Sequence, residues 1–529
     1  MKTSITLFAL LLGMLTAFSQ DPAILWQKTI GGNEGDFSTS FEATSDGGYI
    51  FGGYSTSNIS GEKTENSNGG TDLWIVKIDG TGNIMWQNTI GGSGEDFLIS
   101  LKPTSDGGYI VGASSDSNIS GDKTENSRGG LDYWLLKLDS SGNIVWQKTY
   151  GGDQPEFEAY VVETNDAGYF VGGYSDSNVS GDKTDPNNGQ RDYWALKLDS
   201  NGAIVWQNSI GGSLVDRPQI SFQAADGGFV MGGYSFSGIS GDKTQNNQGV
   251  TDNWIVKLDG NGNVLWDKSY GGSDSDVLRN MIQTADGGYL AGGYSKSNIS
   301  GDKTENSQGD YDYWLLKLDG SGNLVWQNTI GGSGIDYLRD LEQLADNTYM
   351  LAGYSNSNIS GDKTENSNGG YDYWLVRLDS SGGIISQNSI GGSADESGPY
   401  ILPTADGNFV MFCSSDSNIS GDKSENSRGL DDYWVFETTP AILGVPKNNF
   451  GIAISAYPNP TNGKFTINLG ESFSESNVTV VNMFGQVVSS TNYKNTQTLE
   501  VEINGAAGIY LATVKTKEGQ QSTLKITKQ

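Results

Sequence analysis

The chain has 529 residues with 63 acidic against 32 basic side chains, a formal charge of −31, one cysteine and no histidine. That balance argues against nucleic acid as a partner, since neutralising phosphates takes clustered Lys and Arg, and leaves cations, basic proteins and neutral glycans. The lack of histidine removes Ser-His-Asp and Cys-His catalysis, His-containing zinc sites and histidine-held haem.

Residues 1–19, MKTSITLFALLLGMLTAFS, combine Lys2, an apolar run from Ile5 to Leu15 and the flank Ala17-Phe18-Ser19. This pattern predicts a secretory signal peptide cleaved before Gln20. No other stretch approaches the roughly 20 apolar residues of a spanning helix, so no transmembrane segment is expected and the mature protein should be soluble and exported. Any membrane attachment would then be covalent.

From residue 20 to 439 the chain repeats with a period of 60: Asp-x-Trp recurs at Trp74, Trp134, Trp194, Trp254, Trp314, Trp374 and Trp434. One unit reads as four strands, FEATS (41–45), YIFGGYS (49–55), LWIVKID (73–79) and NIMWQNTI (83–90), with hairpin signals at Asp46-Gly47-Gly48 and Gly80-Thr81-Gly82. Cys413 stands where the other copies have Gly or Ala, which reads as a small strand residue. Repeated four-stranded units predict an all-β, seven-bladed β-propeller. Through GGSGED (91–96) and TSDGGYIVGASSDS (104–117), residues 24–438 also resemble the seven-bladed propeller repeat family. AILWQKTI (23–30) copies the fourth strand with no third strand before it, and DYWVFETT (432–439) lacks a fourth strand after it. Their pairing would close the ring.

In a propeller the loop between strands two and three and the blade-joining loop share one face, here the longer and more polar one, which makes it the candidate binding surface. The joining loop places an acid before each inner strand: Asp36, Asp96, Glu156, Asp216, Asp276, Asp336 and Glu396. Ring symmetry would gather these near the channel mouth as a cation or cationic-ligand site, or each acid caps its own turn. The other loop, SDSNISGDKTENSRGG in the second copy, starts like a calcium loop at Asp116-x-Asn118-x-Ser120-Gly121, but the first ligand position becomes Thr56, Phe236, Lys296 and Asn356 elsewhere. A hydrogen-bonded scaffold loop is the expected reading, with no cofactor and no resident metal, calcium being the open alternative. The tryptophans alternate with aliphatic residues and read as interblade packing, whereas Phe236, Tyr311 and Tyr371 are candidates for ligand contact.

After the connector 440–453, residues 454–529 change pattern to alternating strands with Gly and Asn turns, which predicts a small Ig-like β-sandwich. Tyr457-Pro458-Asn459-Pro460 with Gly463, the Asn482-Met483-Phe484-Gly485 turn, Gly508-Ile509-Tyr510 and the tail Lys525-Ile526-Thr527-Lys528 resemble the type A C-terminal sorting domain of the type IX secretion system. The resemblance implies passage through the periplasm to the outer-membrane translocon, then release or attachment at the surface. The expectation is a secreted or surface-attached propeller that binds a surface polysaccharide or an extracellular protein without catalysis. A secreted carbohydrate-active enzyme using two loop-face acids about 5 or 6–10 Å apart, and a calcium-dependent adhesin, are the alternatives.

Overall fold

In a computed structural model, the residues described are 22–439, 454–482, 487–506, 508–517 and 521–529. The expected signal peptide and connector lie outside them. The described chain forms two compact units, one on each side of that connector.

The first unit contains seven four-stranded antiparallel sheets. The first sheet takes Asp36–Ala43, Tyr49–Ser55, Asp72–Ile78 and Ile84–Ile90 in order, and the next five repeat this plan. Third strands such as LWIVKI are buried along their whole length, because each sheet is covered on both faces by neighbouring blades. Trp74 stacks on Tyr433 with centroids 5.0 Å apart, and Tyr133 on Trp194 at 5.1 Å, so aromatic packing joins one blade to the next. Lys77 buries its stem while its ammonium meets the Asp46 carboxylate of the hairpin turn at 3.0 Å.

The seventh sheet is completed by the N-terminal strand Ile24–Ile30, which lies antiparallel to Asp432–Thr438 with Ile30 opposite Tyr433 and Ile24 opposite Thr438. Innermost strands touch their neighbours all the way round, including Asp36–Ala43 against Glu396–Pro403. In five other blades the third-strand Trp donates to a fourth-strand Gln, as Trp74 Nε1 does to Gln87 Oε1 at 3.0 Å, and in the sixth Trp254 donates to Asp267; at the closure Trp434 Nε1 donates to Gln27 Oε1 at 3.1 Å. Glu437 takes the position of Lys77 and accepts from Trp26 Nε1 at 2.7 Å. The closing strand therefore carries a bond of its own besides the shared ones.

In the second unit, strands Lys464–Asn482 and Val487–Glu502 run long and turn near Gly470, whose φ of +78° is easy only for glycine. They pair with each other, with Ser455–Tyr457 at one end and with Gly508–Thr516 at the other, and Gln521–Lys528 adds the edge. Phe465, Ile467, Val478, Leu499, Val514 and Ile526 share one core. Of the sorting motif, Asn459 Oδ1 accepts from Thr527 N at 2.8 Å, Tyr510 OH donates to Ala506 O at 2.8 Å, and Lys528 Nζ donates to Ile503 O at 2.9 Å. Gly463 has φ +117°; Gly485 lies outside the described residues.

Deleting residues 23–30 should open the seventh blade and destabilise the propeller by more than about 4 kcal/mol, beyond the usual reach of a single substitution. Thermal or urea unfolding of the truncated chain checks this; unchanged stability would refute ring closure.

Candidate binding site in the propeller channel

The seven joining-loop acids sit at the start of the innermost strands, at the end where the long loops emerge, and all are buried to 1 % exposure or less. Each folds back on its own turn: Asp36, Asp96, Asp216, Asp276 and Asp336 accept from the glycine amide four residues earlier at 2.7 Å, and Glu156 and Glu396 do so at 2.8 and 2.9 Å. Serine hydroxyls complete the cap, as Ser117 Oγ does on Asp96 at 2.9 Å. The seven carboxylates are thus not gathered at an open channel mouth, as the cation-site expectation required; they face the protein interior.

Each has a second acid beside it from the preceding third strand, Asp72 for Asp96 and Asp432 for Asp36. The Gly-Gly of the joining loop makes room: a Cβ on Gly91 would stand 1.8 Å from Asp72 Oδ1. Asp72 Oδ2 accepts from Asn68 N, while Oδ1 is buried with no donor. Burial, and then the facing carboxylate, push Asp72, Asp252 and Asp312 up to about 6, and Asp192 and Asp432 to about 7. Asp132 beside Glu156 and Asp372 beside Glu396 are raised for the same reason.

The calcium-like loops enclose a cation of their own. Lys123 Nζ is buried and donates to Ser115 Oγ and Ser127 Oγ, both at 2.9 Å, 5.5 Å from the Trp134 ring. Asp116 Oδ1, the first position of the supposed ligand series, accepts from Glu95 N at 2.7 Å. Among the described residues no group of three or more His, Cys, Asp or Glu side chains is arranged to hold a metal ion. Cys413 is buried and free.

The channel is where the blades differ. A cavity of about 330 Å³ is lined by side chains from the innermost strands of all seven. Where every third strand keeps Trp, the position that includes Thr39 reads Thr39, Ile99, Ala159, Gln219, Arg279, Arg339 and Pro399. Arg217 is held by Glu158 at 2.5 Å, a residue whose φ of +67° is uncommon for a side chain of its kind. Arg279 donates to Gln219 Oε1, and Arg339 to Tyr400 OH at 2.7 Å with its guanidinium 5.4 Å from the Tyr400 ring. Asp340 is already engaged, accepting from Asn280 Nδ2 at 2.6 Å and Ile401 N at 2.9 Å. Deeper in, Lys102 pairs with Glu42, and burial with the neighbouring Asp340 raises Glu342 to about 8.

A collar of half-buried aromatics sits at the loop end of the innermost strands, since Phe37 is opposite Tyr54 and Tyr337 opposite Tyr354. Tyr294, Tyr337 and Tyr354 contact in series at 4.5 and 5.4 Å, with Tyr311 and Tyr371 against them. On the other side Tyr54, Phe97 and Phe157 follow at 5.2 and 5.8 Å. Phe236 stands beside Tyr234 at 6.1 Å. The charges of Arg279 and Arg339 both act on Tyr294 and Tyr354, which places the guanidiniums under this collar.

Phe236, Tyr311 and Tyr371 are expected from the sequence as ligand contacts; the arginines, Tyr160 and Tyr400 are not. A signal for the last two exists: EFEAY (156–160) and ESGPY (396–400) are the copies with Glu in place of Asp, and both put Tyr four residues on. Both break strand pairing there, with positive φ at Glu158 and Gly398. The two tyrosines line the cavity.

Residues 455–529 match the family model described as a secretion system C-terminal sorting domain. The C-terminal unit is a type IX sorting domain, and it marks a secreted or outer-membrane surface-attached protein. The regulatory protein FlaEY of Caulobacter vibrioides is 24 % identical over 268 residues, 47 % of this chain and 28 % of that protein, so the chain spans under a third of that relative's length. Among solved structures, a protein of unknown function from Dyadobacter fermentans aligns over 79 % of this chain and 99 % of its own at 12 % identity and a TM-score of 0.40. The WD40 domain of Neurospora crassa Pan2 aligns over 80 % and 98 % at 10 % identity and a TM-score of 0.39. A PL25 ulvan lyase aligns over 76 % and 97 % at 9 % identity and a TM-score of 0.41.

The buried acid pairs set a pH profile. From about pH 4 to 7 the folded ring keeps protons that the unfolded chain has released, because Asp72, Asp192, Asp252, Asp312 and Asp432 lie near 6 to 7 against an ordinary 3.8. That stabilisation is complete below the ordinary value and lost as pH rises through 6 to 7. Burial lowers Lys123, Lys183, Lys303 and Lys363 to about 8 from 10.5, so their contribution runs the other way above pH 8. Melts of the full chain should show stability falling from pH 5 to a minimum near pH 8 and then recovering. Asp432→Asn should raise the melting temperature most at pH 8, less at pH 5, and leave it unaltered below about pH 3.8; a flat profile would contradict the assignment.

Proposed function

We propose that this protein is a non-catalytic binding propeller, carried through the periplasm by its sorting domain and displayed outside the cell, whose ligand enters the channel through the aromatic collar. The observation that carries this reading is the division of labour between repeats: the Trp, Lys and Asp scaffold recurs in every blade, while the cavity-facing positions do not. Largely preformed concave sites lined by aromatics with a few polar groups are typical of ligand binding. Adhesion draws further support from the loops, where Ile59, Ile119, Val179, Ile239, Ile299, Ile359 and Ile419 are each about 60 % exposed, a repeated set of apolar contact points suited to multivalent attachment.

A carbohydrate-active enzyme remains the second reading because Glu342, raised to about 8, lies beside Asp340 in the channel. Its neighbour Asp340 is tied to amide donors, which favours a positional role. A glycan and extracellular-matrix protein array on the full chain, with product analysis of every bound glycan, tests the two together. Binding without cleavage is expected, and Tyr337→Ala should weaken it at least tenfold with the fold retained by circular dichroism. Measurable glycan cleavage with no retained ligand would overturn the proposal.

A further inference from the structure

Two guanidiniums in the channel lack what two other half-buried arginines have. Arg217 is neutralised by Glu158, and Arg191 by Asp176 through two bonds of 2.6 and 2.7 Å. Among the described residues Arg279 and Arg339 form no salt bridge; Arg279 donates to a neutral amide and Arg339 to a phenol, and the Arg339 charge acts on Asp340 only at longer range. Both belong to the same position of adjacent blades, both line the 330 Å³ cavity, and both are half-buried. Asp340, the nearest acid in sequence to Arg339, is spent on Asn280 and on backbone amides. A guanidinium offers five donors in a fixed fork, so most of the donor capacity of this pair is unspent. In a chain of net charge −31, holding two half-buried guanidiniums without a salt-bridge partner is costly unless an anion completes them.

The surroundings narrow that anion. Tyr160 and Tyr400 stand in the cavity with the arginines, and Tyr294, Tyr337 and Tyr354 form the rim above them. Phenols combine a flat apolar face with a hydroxyl, which suits the C–H faces and hydroxyls of a pyranose better than an aliphatic chain. The cavity is at the small end of ligand-binding volumes, enough for a chain end and too small for a coiled polymer. The surrounding acidic surface opposes a densely charged polyanion.

We infer that the channel binds the end of a glycan carrying one acidic sugar, with its carboxylate or sulfate held by the forks of Arg279 and Arg339 and the sugar ring against the tyrosines. This rests on the binding reading above and gives it a ligand class. Both charges act on Tyr160, Tyr294 and Tyr354, so an anion placed among these tyrosines is attracted by both guanidiniums.

Calorimetric titration of the full chain tests this with three tetrasaccharides, capped by glucuronic acid, by a sulfated sugar or by glucose, and with a glutamate-capped tetrapeptide. At least one acidic glycan should bind ten times more tightly than the glucose-capped one, and the preferred cap tells carboxylate from sulfate. Arg279→Gln and Arg339→Gln should each cost at least tenfold, while Arg339→Lys, which keeps the charge and loses the fork, should lie between. Thermal melts accompany each variant; should a glutamine variant not fold, Arg339→Lys and Tyr400→Phe carry the test. Equal affinity for the glucose-capped glycan, unchanged binding in folded arginine variants, or binding of the peptide alone would overturn the inference. Glycan binding abolished by Tyr337→Ala but indifferent to both arginines would sink it and leave the broader binding proposal standing, whereas an array without any ligand would sink the broader proposal itself.

Discussion

The antiparallel pairing of Ile24–Ile30 with Asp432–Thr438 is the interaction on which the propeller depends. Each blade buries its two faces only against its neighbours, so a ring missing one contact exposes an apolar face on both sides of the gap. Trp434 and Gln27 form the Trp–Gln bond that five other blades make within a single hairpin, here across 407 positions. Trp26 and Glu437 add a contact specific to this junction. Closure turns seven marginal sheets into one cooperative body.

Within that ring the buried polar groups serve geometry. A joining loop must pass close to the third strand of the preceding blade, and Gly91 and Gly92 allow it to approach Asp72 and Ser117 more closely than any side chain would. Asp96 then satisfies the loop amides, and Lys123 fills the next loop with an ammonium. Turn amides, serine hydroxyls and a buried lysine, all supplied by the repeat itself, surround the carboxylates at every joint. The energetic residue of this solution is the raised titration of Asp72 and its counterparts.

Ring closure was legible in the sequence because AILWQKTI and DYWVFETT are complementary remainders of a strict period. The strands themselves were legible from turn glycines and from third strands apolar on both faces. Burial of the joining-loop acids was not: symmetry puts Asp36 near the axis, but whether its carboxyl faces the channel or Gly32 depends on a hydrogen bond that no period reveals. The loop opening at Asp116 resembled a calcium site because it does wrap a cation, supplied by Lys123 seven residues on. Arg279, Arg339, Tyr160 and Tyr400 escaped notice for the opposite reason, since comparing copies emphasises what recurs and these residues occupy positions that vary. The C-terminal module was legible in its motif residues, several of which turn out to be hydrogen-bonded at one edge of its core, as Asn459 and Lys528 are.

The near-identity of the outer strands also dictates an order of assembly. Apart from the Trp26–Glu437 bond, AILWQKTI offers a third strand nearly the same contacts as NIMWQNTI or NLVWQNTI, so contact chemistry says little about where it should go. Chain statistics do. Joining Trp74 to Gln87 closes a separation of 13 positions, against 407 for Trp434 and Gln27, an entropic difference of about 3 kcal/mol in favour of the local hairpin. Six blades can therefore claim their own fourth strands first, and the N-terminal segment takes the one berth left empty. The address of that strand is written in the absence of a competitor, and shortening the array by one repeat would move the address without changing a letter of the strand.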